Sequence, residues 1–578
     1  MLSDAAPHEP FVLLDDARPG GAPARLYRAP VRVLEARSEV GVRDVMAQLR
    51  GATFDAAGFL SYEAAGAFEP RAALPGRVTP LAWFGLFDGW TEPDLATLLP
   101  DPAGGWAGAP EPLVDEQGYA AMFARVQALI AAGDLYQANL TFRARVPVAG
   151  DPLALYAGLR AATRGGWGAV VWTGADLLLS CSPELFVALE RGRLTCRPMK
   201  GTARRLPDAR ADEAAAAALA ADEKQRAENL MIVDLMRNDL SRVAVAGSVA
   251  VPELFAVERY PTVHQMTSTV TADLAPGRDA VDVVAALFPC GSITGAPKLR
   301  AIAALDAIEA DARGPYTGSI GRIDRTGDAQ FNVAIRTIHW RDGAATIGLG
   351  GGIVADSVCE AEWDEALAKG AFVAAAARPL DIIETMAFDP MEGVLRVERH
   401  LARMKASAVA LGFAFDRHGA RNELQAATFR LRHPARVRLL LARSGAIAIE
   451  VAPAPPVSAA PLRVALVPLP VPARDLRLAH KTSDRGFYDA ARAAAGTDEV
   501  VFVRADGALT EGSFTSLFVE RDGRLLTPPA TLGLLPGVLR GELIEEGRAI
   551  EAPLVAADLE GGFLLGNALR GLMPAVLA

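Results

Sequence analysis

The stretch Cys196-Arg197-Pro198-Met199-Lys200-Gly201-Thr202-Ala203-Arg204-Arg205 decides how this chain is read. It follows Leu194-Thr195 and precedes a long helical run. It reads as a tight Pro-x-Lys-Gly-Thr turn, with glycine beside the lysine leaving room for a backbone or a ligand. Alone, such a lysine is an exposed turn residue. Four companions argue otherwise: Ser182-Pro183-Glu184 upstream, then Glu228-Asn229-Leu230-Met231-Ile232-Val233-Asp234-Leu235 downstream. Gly291-Ser292-Ile293-Thr294-Gly295-Ala296-Pro297-Lys298 and Gly350-Gly351-Gly352-Ile353-Val354-Ala355-Asp356-Ser357 follow further on.

Working outward, 578 residues are too many for one core. With 51% hydrophobic and 22% charged residues, the composition is that of a soluble globular protein. A net charge of -10, with no basic stripe carrying interleaved aromatics, argues against a nucleic-acid partner. Cys181, Cys196, Cys290 and Cys359 form no CxxC pair, which fits free thiols in a reducing compartment and no zinc site. The start, Met1 to Pro10, lacks the apolar run of a signal peptide. The alanine run Ala214 to Ala221 is flanked by charges and is no membrane span. The expected location is the cytoplasm, with no membrane partner.

Phe11 to Leu14 and Leu81 to Phe87 read as buried strands. The proline- and glycine-rich segment from Pro100 to Pro112 reads as a loop. Asp115 starts a helix carrying Tyr119, Phe123, Val126 and Ile130 at helical spacing, ended by Gly133. Leu135 to Val148 alternates as a strand, and 168–198 holds more strands. Residues 211–240 read as one long alanine-rich helix. Thr262 to Asp273 is β-rich, and Ala280 to Phe288 and Lys298 to Ala310 are helical. Residues 316–354 read as a strand meander, and Glu360 to Ala377 as a helix. Near Pro379 the pattern restarts with Asp381-Ile382-Ile383-Glu384-Thr385-Met386. His400 to Leu411 is helical, Ala435 to Val451 holds strands, and the proline-rich Pro453 to Pro461 divides this unit into two lobes.

Glu228 falls on the long helix, and Glu362 and Glu365, three apart, share a helix face. Carboxylates without His or Cys suit a hard ion such as Mg²⁺; the alternative is a set of solvated glutamates. The motifs quoted above, in this order, resemble the chorismate-binding enzymes, and Pro-Met-Lys-Gly-Thr resembles their aminodeoxychorismate synthase branch. The resemblance implies that Glu228 and Glu365 hold Mg²⁺, with Glu362 steadying the metal waters. It puts Arg336 on the enolpyruvyl carboxylate of chorismate, Tyr316 nearby and Lys369 near the metal-bound carboxylate. It has Gly350 and Gly352 offer backbone N–H groups to an anion. Expelling the C4 hydroxyl needs a general acid, and Glu184 matches the family's. Branches that add water use a lysine where this chain has Gln137, and glutamine cannot act as that base. Lys200 resembles the lysine that attacks C2 covalently, for which its amine must be neutral. Two positions depart from the pattern. Gln225 stands where some members have an acid, and Gln265 where many have histidine, leaving His264 as substitute or structural residue. No cysteine lies in a Gly-x-Cys-x-Gly setting, so ammonia comes from solution or from a separate glutamine amidotransferase subunit.

Glu384-Thr385-Met386, His400-Leu401-Ala402-Arg403-Met404 and His480-Lys481-Thr482 belong to a second set. With Thr510-Glu511-Gly512-Ser513, Leu534-Leu535-Pro536-Gly537-Val538 and Gly566-Asn567-Ala568, they resemble the fold-type IV pyridoxal-phosphate enzymes, which include aminodeoxychorismate lyase. The resemblance makes Lys481 the cofactor-linking lysine and Glu511 the partner of the pyridine nitrogen. It puts Arg403 and the backbone at Gly537, Val538, Asn567 and Ala568 on the phosphate. Independently of any family, Lys481 is the only lysine after Lys405. Free-standing members have about thirty more residues before Glu-Thr-Met, so that portion is missing here or supplied by the first unit. Ser516 stands where many have asparagine.

The resemblances imply an α+β architecture. An anthranilate-synthase-like two-sheet sandwich with surrounding helices fills 1–378, with 1–112 an N-terminal part and 113–378 catalytic. A smaller two-lobed α/β domain of fold-type IV fills 379–578. The implied activity is bifunctional: chorismate plus ammonia to 4-amino-4-deoxychorismate, then elimination of pyruvate to p-aminobenzoate for folate. The rival reading is an anthranilate synthase-type large subunit whose second half is aminotransferase-like or a non-catalytic scaffold.

Overall fold

In the first two-thirds of the chain, alternating apolar residues build two large antiparallel sheets that pack face to face. The structure, a computed structural model, describes residues 9–72, 74, 80–260, 263–376, 378–456 and 460–578. The nine-stranded first sheet has Gln137–Val146 against Ala344–Ile353, and continues through Thr337–Arg341, Asp176–Ser182 and Trp167–Trp172 to Phe11–Asp15. The ten-stranded second sheet starts with Met199–Arg204, Val263–Asp273 and Arg193–Arg197, and ends with Asp55–Leu60, Ala82–Phe87 and Arg32–Ala36. Both sheets thus take strands from either side of residue 112. Val12, Tyr27, Phe59, Trp83, Phe87 and Val171 fill the space between them. Helices cover the outer faces, burying their apolar stripes. Tyr119 of Glu116–Ala131 and Ala366 of Cys359–Gly370 pack on the first sheet. Ile232 of Glu223–Ser241 and Val281 of Ala280–Leu287 pack on the second.

The chain crosses between the sheets at two adjacent places. Ser182-Pro183-Glu184 joins Asp176–Ser182 of the first sheet to Leu185–Glu190 of the second. Residues 333–336 return from Ala329–Asn332 to Thr337–Arg341. The crossings are bonded together: Ser182 Oγ donates to the Val333 carbonyl (2.6 Å), Val333 N–H to the Glu184 carbonyl (3.1 Å) and Cys181 N–H to the Arg336 carbonyl (3.0 Å).

Several expectations need correction. Lys200 lies in no turn but in the strand Met199–Arg204, whose pairing with Val263–Asp273 slips between Met199 and Thr202. Gly201, at φ 103°, supplies the conformation this irregularity needs. The long helix is two, Ala209–Ala221 and Glu223–Ser241, because Asp222 turns extended and its carboxylate accepts from the Gln225 N–H as a cap. The 316–354 strands form no single meander, since Ser319–Ile323 and Ala329–Asn332 belong to the second sheet and the next two to the first. The last helix of the first unit divides into Cys359–Gly370 and Phe372–Ala375. Its expected end at Ala377, the start at Thr262 and part of the Pro453 to Pro461 stretch lie outside the described residues.

From Ile382 onward there are two smaller sheets. One is four-stranded and antiparallel, centred on Ile382–Asp389 and Ala435–Leu441; the other is eight-stranded and mixed, running from Leu509–Gly512 to Ala549–Glu551. The expected loop of 100–112 contains a strand, Gly105–Ala107, paired with Val148–Gly150. Proline and glycine content concealed it. Its Trp106, 3% exposed, is part of the core of the four-stranded lobe, beside Met404, Leu411, Phe413 and Leu476. Arg443 stacks over Trp106 and Phe413, with its guanidinium 5.4 and 4.6 Å from the ring centres. Arg477 reaches Asp101 (3.0 Å) as well as Asp475 and Asp484. The first unit therefore fills part of the core of the second. Among the described residues no helix is long and apolar enough to cross a membrane.

Candidate functional site

The first site gathers at the sheet crossings. Glu184, 4% exposed, receives a hydrogen bond from Ser292 Oγ at 2.7 Å. Burial pushes its carboxyl up to about 7, although Ser292, the Met199 N–H and the nearby Lys200 charge pull the other way. It can therefore hold a proton near neutrality. Lys200 Nζ lies 3.1 Å from Glu228 Oε2, and Asn229 Nδ2 donates to the Lys200 carbonyl at 3.2 Å. Ser268 Oγ in turn donates to Asn229 Oδ1 at 2.6 Å, fixing helix to strand. Gly352 faces both Lys200 Nζ and Gln137 Nε2; a methyl group there would sit 3.0 and 2.7 Å from them. Gln137 is buried, and its Oε1 has no hydrogen-bond partner.

Glu362 and Glu365 project from Cys359–Gly370 toward the same space. Ser357 Oγ donates to Glu362 (2.6 Å), while Lys369 Nζ binds Glu365 (2.7 Å) and the Gly350 carbonyl (3.0 Å). Burial and the Glu365 charge raise the Glu362 carboxyl, whereas at Glu365 burial is outweighed by Lys369 and the carboxyl falls. Gly350 and Gly352 stand in the ladder opposite Thr141 and Asn139. A side chain at Gly350 would strike the Leu140 carbonyl, so this close pairing requires glycine. Arg336 sits at the second crossing with φ 51°, a left-handed conformation uncommon outside glycine. Burial lowers its pKa. Tyr316 lies with its ring against Gly348, and burial keeps its phenol protonated.

Among the described residues, no group of three or more His, Cys, Asp or Glu could hold a metal on its own. Glu228, Glu362 and Glu365 nevertheless share the neighbouring lysines 200 and 224. Mg²⁺ uses one or two carboxylates completed by water and substrate oxygens, so this donor set fits a shared site and not a closed protein cage. His264 is not part of it: its Nε2 meets Asp212 at 2.9 Å, in a cluster with Arg205. Gln265 instead donates to the Gly201 carbonyl (2.8 Å) and accepts from Thr202 Oγ1 (3.0 Å), steadying the strand that carries Lys200. Gln225 also faces Gly201.

The second site is a cavity of about 360 Å³ between the two later sheets, with Lys481 in its wall. The lysine is positioned by edge pairing: Ile383 N–H donates to the Lys481 carbonyl at 2.8 Å, and Thr482 bridges to Ile382. Burial, then the charge of Arg403, lowers its amine to about 7. Arg403 is gripped by Glu384 through Nε (2.8 Å) and Nη2 (2.7 Å), and donates to the Pro536 carbonyl. His400 Nδ1 also contacts Glu384, at 2.6 Å. Glu511 accepts from Tyr488 Oη (2.6 Å) and the Leu535 N–H (3.1 Å); burial raises its carboxyl to about 7. Gly537 caps the helix Val538–Glu545, whose first N–H groups make an anion site. Asn567 and Ala568 line the opposite wall. Asn567 Oδ1 accepts from the Leu569 and Arg570 N–H groups. The cavity, the lowered lysine and the buried acid fit pyridoxal 5'-phosphate. The motifs did not reveal Tyr488; its one sign is a hydroxyl-bearing aromatic seven residues after Lys481. Ser292 and Ser357 lie inside quoted motifs, but only the fold shows which acids they serve.

A family model described as chorismate binding enzyme matches residues 23–375, and one described as amino-transferase class IV matches 381–577. Aminodeoxychorismate synthase component 1 of Salmonella typhimurium is 47% identical over 251 residues, 43% of this chain and 55% of that protein. Anthranilate synthase component 1 of Aquifex aeolicus is 42% identical over 242 residues, 42% of this chain and 49% of that protein. The chain therefore spans about half the length of these curated relatives. The crystal structure of anthranilate synthase component I from Streptococcus pneumoniae has the same fold, at a TM-score of 0.54 and 24% identity, covering 63% of this chain and 92% of that one. The match over 23–375 makes this chain a member of the chorismate binding enzymes, joined in one polypeptide to an amino-transferase class IV unit.

Proposed function

We propose that the chain makes p-aminobenzoate from chorismate in two steps, one on each of two units, 1–378 and 379–578. The observation that carries this reading is the convergence of Lys200, the proton-holding Glu184 and Gln137 at one site. An amine nucleophile and an acid are present, and no second lysine stands where water would be activated. Glu184 protonates the departing C4 hydroxyl while the Lys200 amine bonds to C2; ammonia then enters at C4 and expels the amine. Arg336 suits the enolpyruvyl carboxylate, which it can grip with two parallel hydrogen bonds. Glu228, Glu365 and Glu362 would hold Mg²⁺ against the ring carboxylate, where the ion supplies fixed positive charge. Since Glu228 also holds Lys200, engaging Glu228 elsewhere would release the amine. Ammonia would come from a separate amidotransferase subunit, as the name component 1 of the Salmonella protein suggests.

In the second unit, the class IV match supports pyridoxal 5'-phosphate on Lys481. When bound, the cofactor supplies an electron sink, with Glu511 at its ring nitrogen. Arg403, the helix start at Gly537-Val538 and the Asn567-Ala568 backbone would receive its phosphate. The Lys481 amine removes the C4 proton of 4-amino-4-deoxychorismate and returns it to the methylene carbon of the leaving enolpyruvate. The C3–O bond breaks, giving p-aminobenzoate and pyruvate. Incubation of the full chain with chorismate, Mg²⁺, ammonia and the cofactor tests this reading. Equal amounts of p-aminobenzoate and pyruvate are expected. Anthranilate as product would overturn the first half, and accumulation of 4-amino-4-deoxychorismate the second.

A further inference from the structure

Six arginines and Lys481 line the second cavity, against only two carboxylates, Asp489 and Glu511. That is more positive charge than one phosphate needs. Arg403 is already neutralised by Glu384. The remaining arginines fall into two groups. Arg438 and Arg485 act directly on Lys481. Arg438 has a distant partner in Glu450 at 3.6 Å, and Arg485 Nη1 is buried without a hydrogen-bond partner. Arg436, Arg492 and Arg570 form the other group: the guanidinium groups of Arg492 and Arg570 lie 5.1 and 5.0 Å from the Phe514 ring centre, and Arg436 repels Arg570. Arg436 is two residues before Arg438 on the strand Ala435–Leu441, so both point to one face, about 6–7 Å apart along it.

The charges of this second cluster oppose one another. Burial, and then the repulsion of Arg436 and Arg492, lowers Arg570, against the attraction of Glu499. Glu499 is itself occupied by Ser513 and Thr515, and Asp489 is held by Arg492, at 3.0 Å. Guanidinium groups assembled without matching carboxylates are stabilised by an anion that arrives with the ligand.

We propose that Arg436, Arg492 and Arg570 form a carboxylate subsite separate from the one beside Lys481, so that the second unit selects amines bearing two well-separated carboxylates. The inference rests on the proposed function and deepens it. 4-Amino-4-deoxychorismate carries a ring carboxylate and an enolpyruvyl carboxylate, whereas an ordinary monocarboxylic amino acid fills one subsite only. Discrimination arises because the monocarboxylate leaves the second arginine cluster without a matching anion.

The test uses the full chain loaded with pyridoxal 5'-phosphate and two unreactive probes, 3-(carboxymethoxy)benzoate and 3-methoxybenzoate. Their binding is read from the perturbation of the cofactor's absorption band, which reports this cavity and not the chorismate site. The dicarboxylate should bind about tenfold more tightly or better. Arg570→Ala and Arg436→Ala, both exposed side chains, should each erase most of that preference while leaving the monocarboxylate affinity unchanged. A loaded protein that binds both probes equally, or variants that keep the preference, overturns this inference alone. A protein that takes up no cofactor overturns the proposed second activity, and the inference with it.

Discussion

The two lysines at the centre of this molecule are prepared in opposite ways. Lys200 stands in a bulged edge strand with a carboxylate 3.1 Å from its amine, a contact that holds until Glu228 is engaged elsewhere. Lys481 sits buried in a cavity wall with arginines as its near neighbours, and burial, helped by the Arg403 charge, takes its amine to about 7. A counter-ion can be removed by a ligand, while burial is permanent. On the proposed function, the first amine becomes nucleophilic only when the site is filled, and the second is ready at rest.

The sharpest break in this comparison is reciprocal deletion. Lys481→Ala should abolish the cofactor band and pyruvate release, since no lysine but Lys481 follows Lys405. Chorismate consumption should continue. Lys200→Ala should do the reverse, cutting chorismate amination by on the order of a hundredfold or more while pyruvate is still released from supplied 4-amino-4-deoxychorismate. If borohydride reduction leaves the pyridoxyl group on any lysine other than Lys481, the burial half of the comparison is wrong. Amination at the wild-type rate in Lys200→Ala with excess ammonia would remove the other half.

The next effect concerns the acid opposite Lys200. Glu184 works protonated, so with its carboxyl near 7 the proton is present below that pH and lost above it. Amination should fall about tenfold per pH unit on the alkaline side. Ser292 stabilises the carboxylate form through its 2.7 Å hydrogen bond, so Ser292→Ala should raise the pKa and move the alkaline limb upward. Glu184→Gln should lose about 10²–10⁴-fold at every pH. A pH profile unmoved by Ser292→Ala would mean that the limb belongs to another group.

Much of this was legible in the residues. Asp115 and Gly133 bounded a helix that forms as Glu116–Ala131, because cap and spacing act locally. The resemblance carried by the motifs implied a shared site for Glu184, Lys200, Glu228 and Gln137, and Lys200 does lie 3.1 Å from Glu228. What remained hidden depends on distant partners. Nothing local at Lys200 distinguishes a turn from a bulged strand, since the pairing strand begins some sixty residues later. Equally, His264 and Gln265 are adjacent in sequence, and strand alternation sends one to Asp212 and the other to Gly201. Trp106 was lost in a proline-glycine segment because its core neighbours, such as Met404 and Leu411, come nearly 300 residues later.

That tryptophan also separates the regions mechanically. The first unit has three large clusters of its own, but the four-stranded lobe of the second completes its core with a residue borrowed from the first. Trp106→Ala should destabilise that lobe by about 3–5 kcal/mol, the usual cost of removing a buried large aromatic. Calorimetry should show one early transition accompanied by cofactor release, with chorismate amination retained. Simultaneous loss of both activities at the same temperature would show that the two units unfold together.

The smallest effect probes how tightly the first amine is held. At Gly352 an added methyl would lie 3.0 Å from Lys200 Nζ and 2.7 Å from Gln137 Nε2. Both neighbours are ends of side chains, so the chain can accommodate Gly352→Ala without moving backbone. Lys200 can swing toward Glu228, but Gln137 is buried and has little room. The methyl therefore displaces the amine toward its counter-ion and away from the ring it attacks. A displacement of a few tenths of an ångström from a near-attack geometry should lower kcat for amination by about tenfold. Pyruvate release from supplied 4-amino-4-deoxychorismate should stay within error of wild type, with a modest loss of thermal stability from the contact with Gln137. Wild-type amination in Gly352→Ala would show that Lys200 reacts from a position other than the one it occupies between Glu228 and Gln137. A stronger loss, approaching that of Lys200→Ala, would mean that the 3.1 Å ion pair, once tightened, no longer releases the amine.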